Sequence, residues 1–358
     1  MLEKIYNPLS RAVVQLYNHY LTKKLDYPYA TTISDRYKEL PTFLNSWQVV
    51  CMENEVKPNK IMSRNIMGED IIIWKDDNSN ISVMEAHCPH LGAHMASGGD
   101  IVENNIRCAF HHHCFDAKGQ CTHKKKEKIF TYSIDIQGGI VFAWFHEKRE
   151  EPTWKLPNLL IDENNQEWVV SHSELKGTTV PSHPMTFIEN GADINHGIKL
   201  HNLCHKDTEF NVDNEIISLK YIREKEEKGH IKLTAYGPFI LSYDFEFTYH
   251  FKGYARMLML LQLMPDGSFI AHRIKLKHKS IDTFHMKLFY FGASVMTEFK
   301  LFKAFLTEDQ LIMINRKYLH RPNYDKEDRF IPKFRKWYKQ FYPIDIEEKV
   351  KVENKEVA

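Results

Sequence analysis

The chain has 358 residues, with 48 Lys or Arg against 47 Asp or Glu and a formal charge of +1. So even a balance excludes nucleic-acid binding driven by whole-chain charge, and a chain this long is expected to form two domains, or one large one with an insertion. Hydrophobic content of 43% is ample for buried cores, and six cysteines in such a length are no disulfide framework. The longest apolar run near the middle, MLMLL from Met257 to Leu261, is far short of the ~20 residues of a spanning helix. The start, MLEKIYNPLSRAVVQLYNHYL, is charged at position 3 and lacks a small-residue cleavage pattern. It reads as an amphipathic helix rather than a signal peptide, so a cytoplasmic protein without a transmembrane anchor is expected.

In chain order, residues 1–43 read as a helical segment that packs on the domain of residues 151–345. Short strand candidates follow: WQVVCM, IMSRNIM, DIIIWKD and NISVMEAHC, the last two separated by the turn-rich DDNSN. The same texture returns in FTYSIDIQGGIVFAWFH, so residues 44–150 are read as a small all-β domain whose loops carry cysteines and histidines. REEPTWKLP, from Arg149 to Pro157, has the proline and charge of a linker.

Beyond it a helix is predicted from Thr186 to His205, then strands EIISLKYI, HIKLTAYG, PFILSYDFEFTY, YARMLMLLQL and SFIAHRIKLKH. FHMKLFYFGASV comes next, and a helix through TEFKLFKAFLTEDQLIMINRKYL. Strands with helices around their ends predict an α+β domain with a central antiparallel sheet over residues 151–345. A charged tail over 346–358 closes the chain.

Four residues stand out between the early strands: Cys88-x-His90, seventeen residues, then Cys108-x-x-His111. Two thiolates and two imidazoles suit zinc or an iron–sulfur cluster. Structural zinc favours C-x₂₋₄-C pairs, whereas a Rieske [2Fe–2S] centre needs two cysteines on one iron and two histidines on the other. Each loop here offers one ligand of each kind. Gly92, Gly98 and Gly99 let the backbone turn close to sulfur. His112 and His113 are expected to fill supporting roles, and Cys114 and Cys121 to be ordinary free thiols, with a disulfide between them the alternative.

A second cluster lies in ENGADINHGIKLHNLCH as Asn190-x₂-Asp193-x₂-His196-x₄-His201. Asp193 and His196 fall three apart on one helical face, and a slightly bent helix lets His201 approach the same point. Two histidines plus a carboxylate from elsewhere make the facial triad of mononuclear Fe(II) oxygenases, with positions open for O₂. FLTEDQLIMINRK supplies the distant carboxylate as Asp309, with Glu308 the alternative. His205 reads as an ordinary helix residue.

CPHLGA and CAFHHHCFDAKGQC resemble the cluster-binding loops of the Rieske non-haem iron oxygenases, and N-x₂-D-x₂-H-x₄-H resembles their mononuclear iron signature. His112 and His113 stand where that family usually has Gly and Trp. Asp309-Gln-Leu-Ile312-Met313 is similar to the family's Asp-x-x-Ile-Trp. The ending FRKWYKQFY resembles the steroid-acting branch, which includes 3-ketosteroid 9α-hydroxylases and cholesterol 7-desaturases.

The resemblance implies an N-terminal Rieske domain and a helix-grip-like catalytic domain. Cys88, His90, Cys108 and His111 would hold the [2Fe–2S] cluster, and His196, His201 and Asp309 the Fe(2+). Asp193 would bridge the cluster of one subunit to the iron of the next, which implies a homotrimer, and Asn190 of the same motif is a further catalytic candidate. NAD(P)H would supply electrons through a separate flavin or iron–sulfur reductase or a ferredoxin. The implied activity is O₂-dependent hydroxylation or desaturation of a bulky apolar substrate, a sterol or steroid. Aromatic, amine and ether substrates are the alternatives within the family, and a non-catalytic electron-transfer protein the alternative outside catalysis.

Overall fold

The structure is a computed structural model that describes residues 33–171, 175, 177–201, 207–222, 230–248, 252–279 and 309–343. The expected N-terminal helix therefore lies largely outside the described residues, which begin at a short helix α1 (Ile33–Arg36). Glu308, His205, the segment FHMKLFYFGASV and the charged tail also lie outside them.

Nine strands follow: β1 (Ser46–Met52), β2 (Met62–Ile66), β3 (Glu69–Lys75), β4 (Ile81–Glu85), β5 (Asp100–Val102), β6 (Asn105–Arg107), β7 (Cys114–Phe115), β8 (Ile134–Gln137) and β9 (Ile140–Phe145). They form three small antiparallel sheets in the orders β1-β9-β8, β2-β3-β4 and β5-β6-β7. Gly138 and Gly139 join β8 to β9 with φ +59° and +79°. Positive φ at both residues is what a two-residue hairpin of matching twist demands.

β1 and β9 are buried along their whole length, and this explains their unbroken apolar runs. Trp47, Val49, Phe142 and Trp144 pack with Leu258, Leu260 and Ile240 of the second half of the chain. Val50, Cys51, Val141 and Phe145 point the other way, into the largest core.

The second half is built on one antiparallel sheet. Its strands are β10 (Trp168–Val170), β11 (Gly177–Val180), β12 (Asp207–Asp213), β13 (Ile216–Ile222), β14 (His230–Tyr236), β15 (Ile240–Thr248), β16 (Lys252–Leu263) and β17 (Phe269–His278). The order is β10-β17-β16-β15-β14-β13-β12, with β11 also paired to β17. Along β16, Met257, Met259, Leu261 and Leu263 enter the largest core, while Leu258 and Leu260 lie under β1 and β9. The MLMLL run is thus a strand buried on both faces, and Leu258 does not share the face of Met257 and Met259.

Helices α2 (Pro184–Ala192), α3 (Ile194–His201), α4 (Gln310–Asn315) and α5 (Ile331–Tyr338) complete the described architecture. Met185, Ile188 and Ala192 of α2 share the largest core with Phe334, Trp337 and Tyr338 of α5 and with Leu219, Tyr221 and Leu233 of the sheet. A Cβ at Gly191 would stand 2.3 Å from Leu233 Cδ2, so glycine is what lets α2 lie this close to β14.

The architecture is the expected α+β arrangement with two differences. The single helix expected from Thr186 is two, because Asp193 leaves the helical range at φ −90°, ψ 95°. The helix expected through Leu319 stops at Asn315, where Arg316 turns extended at φ −69°, ψ 134°. The edge strand β12, DTEFNVD, carries mostly polar residues and gave no apolar signal to read.

Candidate metal centres

Two loops with the same backbone geometry present the first cluster. Cys88 N donates to Ala93 O at 2.9 Å and Gly92 N to Cys88 O at 2.9 Å. In the other loop Cys108 N donates to His113 O at 2.9 Å and His112 N to Cys108 O at 3.1 Å. Each cysteine is therefore the pinned corner of a turn whose next residues carry a histidine outward. Gly92 takes the left-handed φ in the first loop (+75°), and in the second His112 takes it at +57°. A side chain at that φ is held by the loop against its own preference.

Cys88 and Cys108 are 3% and 2% exposed, and their thiols lie within hydrogen-bonding reach of each other. Burial pushes the Cys88 thiol up, the His90 amide opposes it, and the Cys108 sulfur pushes the same way as burial. The His90 and His111 rings meet edge to face with centroids 4.6 Å apart. His90 Nδ1 is buried with no hydrogen-bond partner among the described residues, a costly state unless another group occupies it. Two adjacent buried thiols and an orphaned buried imidazole nitrogen fit an iron–sulfur cluster ligated by both residue types.

The second cluster forms where α2 breaks into α3. Asp193 Oδ1 accepts the His196 amide at 2.9 Å, satisfying one of the open donors of the first turn of α3. The Asp193 carbonyl accepts from Gly197 N at 3.3 Å. Asp193 is thus the cap that sets the direction of the His196 helix. His196 Nε2 stands 3.1 Å from Asp309 Oδ1, at the start of α4, and both side chains are 13% exposed. Adjacent ligands at ~2.1 Å from one cation would stand roughly 3 Å apart. The pair therefore fits a shared ion. His201 is the last residue of α3.

Two phenols of the sheet, Tyr221 buried and Tyr243 half-buried, lie near enough to feel these carboxylates. Burial raises the pKa of Tyr221, with Asp193 adding to it, and the Tyr221 hydroxyl donates to Gly191 O. Burial likewise raises Tyr243, with Asp309 adding.

A buried charge cluster missing from the motif reading holds this helix pair in place. Glu189, fully buried, accepts from Arg335 of α5 through Nε–Oε2 at 2.5 Å and Nη2–Oε1 at 3.1 Å. Arg316 also donates to Glu189 Oε1, and its Nη1 reaches Asn190 Oδ1 at 3.1 Å. Arg335 belongs to FRKWYKQFY, so that ending is chemically tied to the residue preceding Asn190. The available signal was a lone acid beside the motif and an arginine in an aromatic run. Neither indicates its partner.

Residues 46–133 match the Rieske [2Fe-2S] domain, and residues 143–342 match the 3-ketosteroid 9alpha-hydroxylase C-terminal domain. A cholesterol 7-desaturase of Ciona intestinalis is 26% identical over 337 residues, covering 84% of this chain and 69% of that protein. A cholesterol 7-desaturase of Caenorhabditis elegans is 25% identical over 354 residues, covering 84% and 77%. The crystal structure of dicamba monooxygenase bound to dicamba aligns with a TM-score of 0.61 at 13% identity, covering 83% of this chain and 96% of that one. At that identity the likeness speaks of fold alone.

Proposed function

The chain belongs to the Rieske non-haem iron oxygenases that carry a 3-ketosteroid 9alpha-hydroxylase C-terminal domain, and on that premise we propose that it hydroxylates or desaturates a sterol or steroid. Its cofactors are a [2Fe–2S] cluster and Fe(2+), and the family draws electrons from NAD(P)H through a separate reductase or ferredoxin. When bound, the two iron groups supply one-electron transfer and the activation of O₂.

In this reading Cys88 and Cys108 hold one iron of the cluster and His90 and His111 the other. His196, His201 and Asp309 hold the mononuclear iron. The observation that carries the reading is the 3.1 Å approach of His196 Nε2 to Asp309 Oδ1 from two helices far apart in sequence. Asp193 fixes the first turn of α3 and so holds His196 in register with Asp309, while Arg316 holds the Asn190 amide. The sheet face below is apolar, with Leu219, Leu233 and Met257 in the core that also contacts Ile194 of α3, which suits a bulky apolar substrate.

A homotrimer completes the electron path, with Asp193 relaying between the cluster of one subunit and the iron of the next. Leu91 and Phe110, 64% and 60% exposed beside His90 and His111, support a subunit contact at the cluster tip. Among the described residues no helix is long and apolar enough to cross a membrane.

Single-turnover oxidation tests the proposal. Chemically reduced protein receives O₂ with cholesterol, a 3-ketosteroid or a small aromatic acid, and mass spectrometry reads the products. A sterol or steroid gaining one oxygen or losing two hydrogens is the expected result. Oxidation of the aromatic acid alone would overturn the substrate assignment.

A further inference from the structure

His113, Cys121 and His123 serve neither iron position, yet the fold gathers them. Their ligand atoms all lie within 4.8 Å of one another. Cys121 and His113 are 2% and 4% exposed, and His123 is open to solvent. Cys121 Sγ is 4.0 Å from His123 Nδ1. A tetrahedral zinc ion with Zn–S about 2.3 Å and Zn–N about 2.0 Å would set that edge at roughly 3.5 Å. Rotation of the exposed His123 side chain closes the difference.

His113 is already oriented as a ligand. Its Nδ1 stands 2.6 Å from Glu127 Oε2, so Nδ1–H donates to the carboxylate and the Nε2 lone pair is left for a cation. A cationic group now takes that lone pair, since Lys124 Nζ lies 3.1 Å from His113 Nε2 and 3.3 Å from Glu127 Oε1. The lysine side chain is 45% exposed and free to swing into water.

We propose that Cys121, His123 and His113 form a third metal site, which takes one zinc-class divalent cation through a thiolate and two imidazoles and leaves a fourth position for water. Thiolate with imidazole selects a zinc-like ion over magnesium or calcium, which prefer oxygen. Binding releases the Cys121 proton to solvent and displaces Lys124. The site ties the loop of Cys108 and His111 to the turn after β7. It is distinct from the cluster ligands, although the His113 ring stacks on His90 at 4.4 Å.

The test loads iron-replete protein with excess Zn²⁺, desalts it, and measures retained zinc and iron by mass spectrometry and zinc coordination by X-ray absorption. The expected result is about one zinc per chain with one sulfur and two nitrogen neighbours. Cys121→Ser and His123→Ala should each retain at least tenfold less zinc, with iron content and circular dichroism unchanged. His123 is exposed, so its variant keeps the test valid if Cys121→Ser folds poorly. A sulfur-free shell places the zinc at the mononuclear site and overturns the proposal. So do two sulfurs with loss of iron, or no zinc retained.

Discussion

Replacing Arg335 by Met should be among the most damaging single changes remote from the metal ligands. Arg335 is 9% exposed in its side chain and Glu189 only 1%, so their two charge-assisted bonds are shielded from water. Removing one member of such a pair leaves an uncompensated buried charge and costs about 3–5 kcal/mol. Arg316 still reaches Glu189 from a side chain 29% exposed, which places the expected loss near about 3 kcal/mol. That is roughly a hundredfold in the folded ratio. Adding Glu189→Gln neutralises the stranded acid, so the double variant should cost at least about 1.5 kcal/mol less than the sum of the single changes. Urea unfolding followed by circular dichroism measures this, with iron counted in parallel. Because α2 carries Glu189 and leads into Asp193, mononuclear iron should fall while the magnetic signal of the cluster persists. A cost under about 1 kcal/mol for Arg335→Met, or strict additivity in the double variant, would refute the reasoning.

Burial lowers the pKa of both His183 and His272 to about 4, from an ordinary 6.5. The folded state therefore binds fewer protons, so this stability is complete above about pH 6.5 and is lost as pH falls toward 4, by up to about 3 kcal/mol per histidine. Urea midpoints that stay flat between pH 7 and pH 5 would contradict it. His112→Gly relieves a left-handed residue, and after the extra entropy of glycine in the unfolded chain it should stabilise by about 0.5–1 kcal/mol in the same assay. Asp193→Ala removes the α3 cap at a cost of about 1 kcal/mol, whereas Asp193→Asn keeps an oxygen for the His196 amide. If Asp193 also relays electrons, Asn should preserve stability while slowing product formation in single turnover. Equal rates for Asn and wild type would confine Asp193 to capping.

Features whose cause lies close along the chain were readable from the sequence. The central strands announced themselves through apolar runs, because burial on both faces leaves no polar residue to interrupt them. The grouping of Cys88-x-His90 and Cys108-x-x-His111 was legible because each pair sits in one short turn, where spacing alone decides which side chains can face a common point. The break at Asp193 was not, since helix spacing says nothing about whether an acid lies on the helix or caps the next one. Asp309 was paired with His196 through the family resemblance, and the structure sets the two 3.1 Å apart, whereas tertiary structure alone seated Arg335 and Arg316 on Glu189 and gathered His113 with Cys121 and His123. Each of these contacts joins residues from separate elements, and the partner is chosen by how the elements pack. A buried acid requires a counter-charge, but a linear pattern cannot say which of 48 basic residues will arrive.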